Sequence, residues 1–247
     1  MCVRIDILTL FPGMFSGPFD ESIIKRAADA GLVEIRLHDI REWATGRHKV
    51  ADDYPYGGGP GMVMKPEPVF EATEAVLEMS PARGPIILMT PVGRTFDHDM
   101  ALELAGERRL VFLCGHYEGF DARVHEHLAT QEISIGDYVL SGGEIAAMAV
   151  VDSVVRHLPG ALGCAESVEE ESFAEGLLEA PHYTRPPEYR GWEVPEVLLS
   201  GHHAEVEKWR RRQNLLLTAR RRPDLLAKVE LTEAEREWLE KELGTGN

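Results

Sequence analysis

The stretch Glu132–His157 reads EISIGDYVLSGGEIAAMAVVDSVVRH and contains the clearest structural signals of the chain. Its apolar and β-branched run Ser134–Leu140 predicts a short strand, and the almost wholly apolar segment Glu144–His157 predicts a buried helix ended by Pro159. Between them, Ser141–Gly143 predicts a sharp turn, where glycine lets a ligand approach the backbone and a helix start offers unpaired N–H groups. The glycine spacing matches neither a dinucleotide-binding fingerprint nor a P-loop. This stretch alone fits both a turn that binds a nucleotide-like ligand and a turn that binds no ligand.

The chain before this stretch alternates between predicted strands and helices. Strands are predicted at Val3–Leu10, Val33–Ile40, Ile86–Met89 and Leu110–Leu113, and helices at Ser22–Ala30, from Pro68 to Met79 and from Asp97 to Ala105. The strands are continuously apolar, which predicts an α/β fold with a mainly parallel sheet covered on both faces. Loops at the carboxyl ends of such strands line the ligand crevice, so Thr90–Gly93, Gly115–Gly119 and Ile135–Gly143 are expected to converge on one site.

A long irregular segment, Arg41–Lys65, contains the run PYGGGPG, which has too much glycine and proline for the interior of a helix or strand. Long irregular loops inside compact domains are usually functional or disordered. A plain surface loop and a binding loop both fit this composition, and the three convergent loops favour the binding loop.

The charge balance limits the classes of partner. The chain has 42 acidic and 26 basic side chains and a formal charge of −16, which argues against a surface built mainly for nucleic acid. The segment Gly201–Pro223 is the exception, because it carries seven Lys or Arg against two acids. A solvated helix face gives the same pattern, but contact with an RNA backbone is the preferred interpretation.

No membrane or metal site is expected. The longest apolar run is far shorter than a membrane span, and Asp6 interrupts the N-terminal apolar segment, so a cytoplasmic protein is predicted. His202 and His203 are adjacent at a predicted helix start and point apart, and no partner ligands stand at a suitable spacing.

The composition changes after the predicted helix of the opening stretch. Gly160–Glu175 is strongly acidic with little apolar content, which predicts a linker or mobile segment. Further helices are expected at Ala204–Arg220 and Leu231–Leu243, and Thr232 and Glu235 have the spacing of a capping box. At 247 residues the chain is long enough for a core plus a smaller domain.

Five blocks of the sequence resemble a single known family: PYGGGPGMVMKPEP, CGHYEGFDARV, SIGDYVLSGGE, GLLEAPHYTRP and LLSGHHAEVEKWRRRQ. Together they are similar to the bacterial tRNA (guanine-N1)-methyltransferases of the SPOUT class, in the same order and over nearly the whole chain. The resemblance implies a knotted α/β domain over residues 1–162, whose C-terminal part forms a deep trefoil knot. It further implies a flexible acidic linker over residues 163–176 and a small helical tRNA-binding domain over residues 177–247.

The resemblance also implies an activity. Members of the family are homodimers that use S-adenosylmethionine to methylate N1 of the guanosine immediately 3′ of the anticodon, with the active site between subunits. An RNA-binding protein that senses S-adenosylmethionine without catalysis is an alternative, and so is a knotted methyltransferase that acts on ribose or on ribosomal RNA.

The family motifs assign roles to individual residues. By resemblance, the residues around S-adenosylmethionine are Thr90, Pro91, Gly115, Tyr117, Glu118, Gly119, Ile135, Gly136, Tyr138, Leu140, Gly142 and Gly143. From the residues alone, Tyr138 and Leu140 fit a strand core equally well. Gly59 and Glu118 are expected at the guanine, and Arg210, Arg211 and Arg212 at the tRNA backbone.

The chemistry requires two further groups. A base must remove the N1 proton of guanine, and a cation should stabilise the negative charge that grows on the adjacent carbonyl oxygen. The motifs place the cation at Arg156 and the base at Glu171, where the family usually has an aspartate. Glu170 is the rival for the base, and solvated linker charge is the plain alternative for all three glutamates, Glu169–Glu171.

Overall fold

The computed structural model describes residues 2–162 and 171–244. The chain divides into two compact units, Met1–Gly163 and Cys164–Asn247. No helix within the described ranges is long and apolar enough to cross a membrane.

The first unit is an α/β structure built on one parallel sheet. Its strands are β1 (Val3–Thr9), β2 (Val33–Asp39), β3 (Asp52–Asp53), β4 (Val63–Met64), β5 (Ile86–Thr95), β6 (Arg109–Cys114) and β7 (Gln131–Ser134). Five of them form the sheet in the order β2-β1-β6-β5-β7, and every pair in it is parallel. The mainly parallel sheet predicted from the apolar strands is therefore confirmed. Strands β3 and β4 form a separate antiparallel pair.

Helices cover both faces of this sheet, as the continuous apolar strands predict. They are α1 (Ser22–Asp29), α2 (Pro66–Glu78), α3 (His98–Ala105), α4 (Ala122–His127) and α5 (Glu144–Arg156). Successive side chains of a strand point to opposite faces. Ile7 accordingly packs in the core with α1, α3 and α5, whereas Leu8 packs in the core with α2 and α4. Seven of the thirteen residues of α5 are buried, which accounts for most of its apolar sequence, whereas Ile145 is exposed.

Two predicted boundaries are wrong for identifiable reasons. The strand predicted at Ser134–Leu140 ends where it was expected to begin, because β7 stops at Ser134 and Gly136 adopts a φ of 142°. Helix α2 begins at Pro66 and not at Pro68. Both prolines are tolerated there because the first N–H groups of a helix have no partner within it.

Strand β5 contains an irregularity that matters for the site. Met89 and Arg94 both align with Ile133 of β7, so the residues between them, Thr90–Gly93, leave the regular ladder. Gly93 passes so close to the Glu132 backbone that a Cβ atom would lie 2.4 Å from the Glu132 carbonyl carbon. The loop predicted after this strand is thus a bulge inside a longer strand.

A charged cluster lies inside the first unit. Asp6 is fully buried on β1, where its carboxylate accepts bonds from Arg4 Nε at 2.8 Å and Arg109 Nε at 2.9 Å, and lies 2.9 Å from His38 Nε2. Arg109 is also fully buried and donates from Nη2 to the Val76 carbonyl at the end of α2. Burial would raise the pKa of Asp6, but the bonds from His38, Arg4 and Arg109 outweigh it and hold this pKa well below its usual range.

The second unit contains β8 (Glu188–Tyr189), β9 (Trp192–Glu193), α6 (Glu196–Leu199), α7 (His203–Arg221), α8 (Pro223–Leu226) and α9 (Glu233–Gly244). Its small core is centred on Leu177, Leu215 and Leu239. The predicted capping box is confirmed, because Thr232 N donates to Glu235 Oε2 at 2.8 Å and Glu235 N donates to Thr232 Oγ1 at 3.3 Å.

The predicted linker falls partly outside the described residues, which omit 163–170. Its remaining part, Glu171–Gly176, forms turns within the second unit. Phe173 N donates to the Leu177 carbonyl at 2.7 Å, and the Ser172 hydroxyl accepts from Glu179 N at 3.0 Å. Glu171 belongs to the same turns, because its backbone carbonyl accepts from Ala174 N at 3.2 Å.

Candidate active site

The three loops expected to converge do so, around a cavity of about 430 Å³ at the carboxyl ends of β5, β6 and β7. Thr90 and Pro91 come from the bulge in β5, the second loop follows β6, and the third runs from the end of β7 to the start of α5. The cavity is lined by all twelve residues predicted around the cofactor: Thr90, Pro91, Gly115, Tyr117, Glu118, Gly119, Ile135, Gly136, Tyr138, Leu140, Gly142 and Gly143.

Backbone contacts join the second loop to the third. Gly143 N donates to the Gly115 carbonyl at 2.8 Å, and His116 and Gly142 form an antiparallel bridge. The approach is close at Gly143, since a Cβ atom there would lie 3.0 Å from Cys114 Cα and the neighbouring backbone would have to give way by a few tenths of an ångström. These glycines let two segments of backbone meet at the wall of the cavity, so they shape the site even before any ligand is considered.

Two tyrosines stand at the cavity, and one of them has an unusual backbone conformation. Tyr117 has a φ of 59°, in the left-handed region that few residues other than glycine adopt. Tyr138 is 55% exposed, and its ring covers Gly136 so closely that a Cβ atom there would lie 2.7 Å from the ring. Tyr138 is therefore not part of a strand core, whereas the half-buried Leu140 does pack against the core. Backbone strain of this kind clusters at functional sites.

The sequence allowed the glycine-rich loop to be either a plain surface loop or a binding loop. In the structure it lies against the second cavity loop. A Cβ atom on Gly61 would lie 2.4 Å from Glu118 Oε1, and Glu118 N donates to the Met62 carbonyl at 3.0 Å. Gly59 has a φ of 128° with open space where a Cβ would stand. The structure thus brings the glycine-rich loop next to Glu118, the residue predicted to contact both cofactor and guanine.

Sequence reasoning missed one polar cluster beneath these loops. Glu144, the first residue of α5, is fully buried, and its Oε1 accepts a hydrogen bond from the Thr9 hydroxyl at 2.7 Å. Its Oε2 lies 3.8 Å from His116 Nδ1. Burial, followed by the charge of Glu144, raises the pKa of the neighbouring Cys114 thiol well above its usual value. The sequence does contain a signal for this polar cluster, because Glu144 is an acidic residue at the first position of an otherwise apolar helix.

The predicted catalytic groups stand in different units. Arg156 is half-buried in the last turn of α5, in the first unit. Glu171 is half-buried in the second unit, where it lines a cavity of about 230 Å³ with Arg210 and Arg211. The rival base, Glu170, lies outside the described residues.

The three predicted RNA-contacting arginines of α7 differ in their surroundings. Arg211 donates from Nε to Glu235 at 2.8 Å and from Nη1 to Glu175 at 3.1 Å, so it ties α7 to α9 and to the preceding turn. Burial would raise the pKa of Glu235, but its bonds from Arg211 and Thr232 hold this pKa below its usual value. Arg212 is exposed and its guanidinium stacks over the Trp238 ring at 5.3 Å. Arg210 is exposed as well.

Comparison with known proteins decides the family. The family model described as "tRNA (Guanine-1)-methyltransferase TrmD" matches residues 3–228. The chain belongs to this family. Among tRNA (guanine-N1)-methyltransferase relatives, the protein of Dehalococcoides mccartyi strain 195, named tRNA (guanine-N(1)-)-methyltransferase, is 56% identical over 245 residues, 99% of each chain. Proteins of the same name from Anoxybacillus flavithermus and Listeria monocytogenes are 54% identical over 97% of this chain and 98% of their own. The family resemblance is thereby confirmed.

The sequence predicted no metal site. Within residues 2–162 and 171–244, no group of three or more His, Cys, Asp or Glu side chains is arranged to hold a metal ion. Polar side chains that line the cavity include Thr90, His116, Tyr117, Glu118, Tyr138 and Ser141, and Glu144 lies behind His116 without lining the cavity itself.

Proposed function

We propose that this chain transfers a methyl group from S-adenosylmethionine to N1 of the guanosine immediately 3′ of the anticodon in tRNA. The observation that carries the proposal is the family match over residues 3–228, together with relatives of that name at 54–56% identity over nearly the full chain. A tRNA substrate also supports a cytoplasmic location.

The cavity fits a nucleoside cofactor of this kind. Cofactor pockets commonly enclose about 300–1,000 Å³, and the cavity of about 430 Å³ lies within that range. Its walls offer backbone groups, which read an adenine edge, and exposed tyrosine rings, which cover an apolar surface. We assign cofactor contacts to the twelve lining residues predicted from the family motifs. S-adenosylmethionine supplies the methyl group, carried on a positively charged sulfur.

The roles of the chain's own residues follow from the acid–base demand of the reaction. Glu171 removes the N1 proton of guanine, and Arg156 stabilises the charge that develops on the adjacent carbonyl oxygen. Gly59 and Glu118 bind the guanine, which agrees with the contact between the glycine-rich loop and Glu118. The family supports a trefoil knot in the first unit, a homodimer with its active site at the subunit interface, and a helical tRNA-binding domain after the linker.

Methyl transfer to matched tRNA transcripts tests the proposed function. The protein is incubated with methyl-labelled cofactor and transcripts that carry guanosine or adenosine after the anticodon, and the labelled nucleoside is identified after digestion. We expect label in 1-methylguanosine from the first transcript only. Binding of cofactor and tRNA without transfer would support a sensor, and label in ribose would support a different knotted methyltransferase.

Gly142→Ala is expected to weaken cofactor binding by about tenfold or more. The new Cβ would lie 2.3 Å from Glu144 Oε2 and 2.5 Å from His116 Nδ1, so these side chains or the third loop must shift. Calorimetric titration with S-adenosylmethionine measures the effect. Gly13→Ala is the matched control, because nothing lies within 4 Å of a Cβ there. Equal affinities of the two variants would contradict the expectation.

The paired variant Arg210→Ala/Arg212→Ala is expected to weaken tRNA binding and to reduce the slope of log affinity against log salt concentration by about 1 to 2. These exposed arginines belong to the one concentrated basic segment of an acidic chain. Filter binding at several salt concentrations measures both quantities, and cofactor affinity should not change. Arg211→Ala serves as the comparison: its ion pairs with Glu235 and Glu175 predict a lower melting temperature. An unchanged salt slope in the paired variant would refute the role.

A further inference from the structure

The Glu144 carboxylate is a charged group with an incomplete set of partners. It is fully buried, and only Oε1 has a hydrogen bond, from Thr9. Its Oε2 has no hydrogen-bond partner in the part of the chain that the structure describes. The start of α5 favours a negative charge at this position. A buried carboxylate oxygen nevertheless requires a donor, because removal from water is costly without one.

The imidazole of His116, which faces Glu144, also has a buried polar atom that lacks a hydrogen-bond partner. Its Nδ1 is buried, lies 3.8 Å from Glu144 Oε2, and has no hydrogen-bond partner among residues 2–162 and 171–244. This separation is longer than a hydrogen bond and short enough for charge pairing, so a small rotation of the ring joins the two atoms. The ring is held from the side by Phe11, with ring centroids 4.6 Å apart. His116 Nδ1 and Glu144 Oε2 can therefore supply each other with the missing hydrogen-bond partner.

The other edge of the His116 ring is available to the cavity. The side chain is 21% exposed although its Nδ1 is buried, and His116 is one of the cavity-lining residues. The exposure must come from the rest of the ring, whose remaining polar atom is Nε2. A carboxylate beside Nδ1 selects the tautomer that carries its proton there, which leaves a lone pair on Nε2.

We propose that His116 is a further cofactor-binding residue, and that Glu144 and Thr9 are positioning residues that act through it. The proposal rests on the proposed function, since S-adenosylmethionine is taken as the ligand. Thr9 donates to Glu144, Glu144 accepts from His116 Nδ1, and His116 Nε2 accepts a hydrogen bond from an O–H or N–H group of the cofactor. Gly142 belongs to this arrangement, because a side chain there would occupy the space between Glu144 Oε2 and His116 Nδ1.

A double-mutant cycle on cofactor affinity tests the positioning role. Affinities for S-adenosylmethionine and S-adenosylhomocysteine are measured by calorimetry for the parent, His116→Phe, Glu144→Gln and the double variant. We expect about a tenfold loss for His116→Phe, a loss of several-fold for Glu144→Gln, and a double variant no weaker than His116→Phe alone. Additive losses would overturn the positioning role, and a His116→Phe affinity within twofold of the parent would overturn the binding role.

Controls separate this arrangement from general stability. His98→Phe replaces a half-buried imidazole of α3 that does not line the cavity, and should leave cofactor affinity unchanged. If Glu144→Gln fails to fold, Thr9→Val replaces it in the cycle, because it removes the donor to Glu144 Oε1, together with the acceptor of the Phe11 N–H bond. Melting temperatures of every variant, without ligand, identify losses that arise from unfolding.

A spectroscopic measurement tests the same arrangement without ligand or activity. Nitrogen NMR of histidine-labelled protein, with the His116 signals assigned by their absence in His116→Phe, should show a protonated Nδ1 and an unprotonated Nε2. Glu144→Gln should shift this tautomer balance toward Nε2–H. A parent protein with Nε2–H as the main form would overturn the proposal. Failure of the proposed function would look different: the parent itself would transfer no methyl group to tRNA, whatever the tautomer of His116.

Discussion

Glu171→Gln is expected to slow single-turnover methyl transfer by about 10²- to 10⁴-fold, the range in which a positioned general base contributes. Glutamine keeps the size of the side chain but cannot take the N1 proton of guanine. Rapid-quench measurement with enzyme in excess over tRNA isolates the chemical step. Cofactor affinity should stay within about twofold of the parent.

Two companion variants make this result specific to Glu171. Glu171→Asp should retain most of the activity, because the carboxylate remains and its position on a short turn can absorb a shift of one methylene. Glu170→Gln should transfer methyl at nearly the parental rate. The reverse pattern, with Glu170→Gln slow and Glu171→Gln fast, would show that the alignment of the acidic segment with the family is wrong by one residue.

Asp6→Ala is expected to destabilise the first unit by about 3–5 kcal/mol, since it leaves Arg4 and the fully buried Arg109 without their carboxylate. For a protein of this size, such a loss lowers the melting temperature by about 6–20 °C. Calorimetric melting measures it. Arg36→Ala is the matched control. Arg36 and Glu34 form an ion pair within β2, and because this pair is half-exposed it should contribute less than about 1 kcal/mol.

The charged cluster around Asp6 also predicts that the stability of the first unit depends on pH. The pKa of Asp6 is lower in the folded protein than in the unfolded chain, so the folded state binds fewer protons at this site. Its contribution is therefore complete above the ordinary aspartate pKa of about 3.9 and declines as the pH falls below that value. Asp6→Asn should lack this part of the acid sensitivity. A parent and a variant with identical curves of stability against pH would contradict the assignment.

Features set by neighbouring residues were predictable from the sequence. Asp97 and Asp121 cap the helices that follow them, accepting from the backbone N–H groups of Met100 and Arg123 at 2.9 Å each. The apolar strands and the Thr232–Glu235 box belong to the same class. In the caps and the box, the interacting groups lie within a few positions of each other, and each strand is recognisable from its own run of apolar residues.

Features set by distant residues were not predictable in this way. Asp6 meets Arg109 across 103 positions, and Thr9 meets Glu144 across 135. The apolar run after Ser134 was taken for a strand, whereas it lines a cavity and packs on the core from a loop. Arg211 was grouped with its neighbours by charge alone, and only the fold shows that two glutamates already pair with it.

The order of the strands has a consequence for how the chain acquires its structure during synthesis. Strand β6 lies between β1 and β5, so the centre of the sheet cannot close until Cys114 has left the ribosome. At about 5–20 residues per second, β1 waits roughly 5–20 s for this neighbour. Until then only β2 can pair with it, and the other edge of an apolar strand stays open to wrong partners. Nascent chains truncated before Arg109 should therefore depend on chaperones more strongly than chains that extend beyond Cys114.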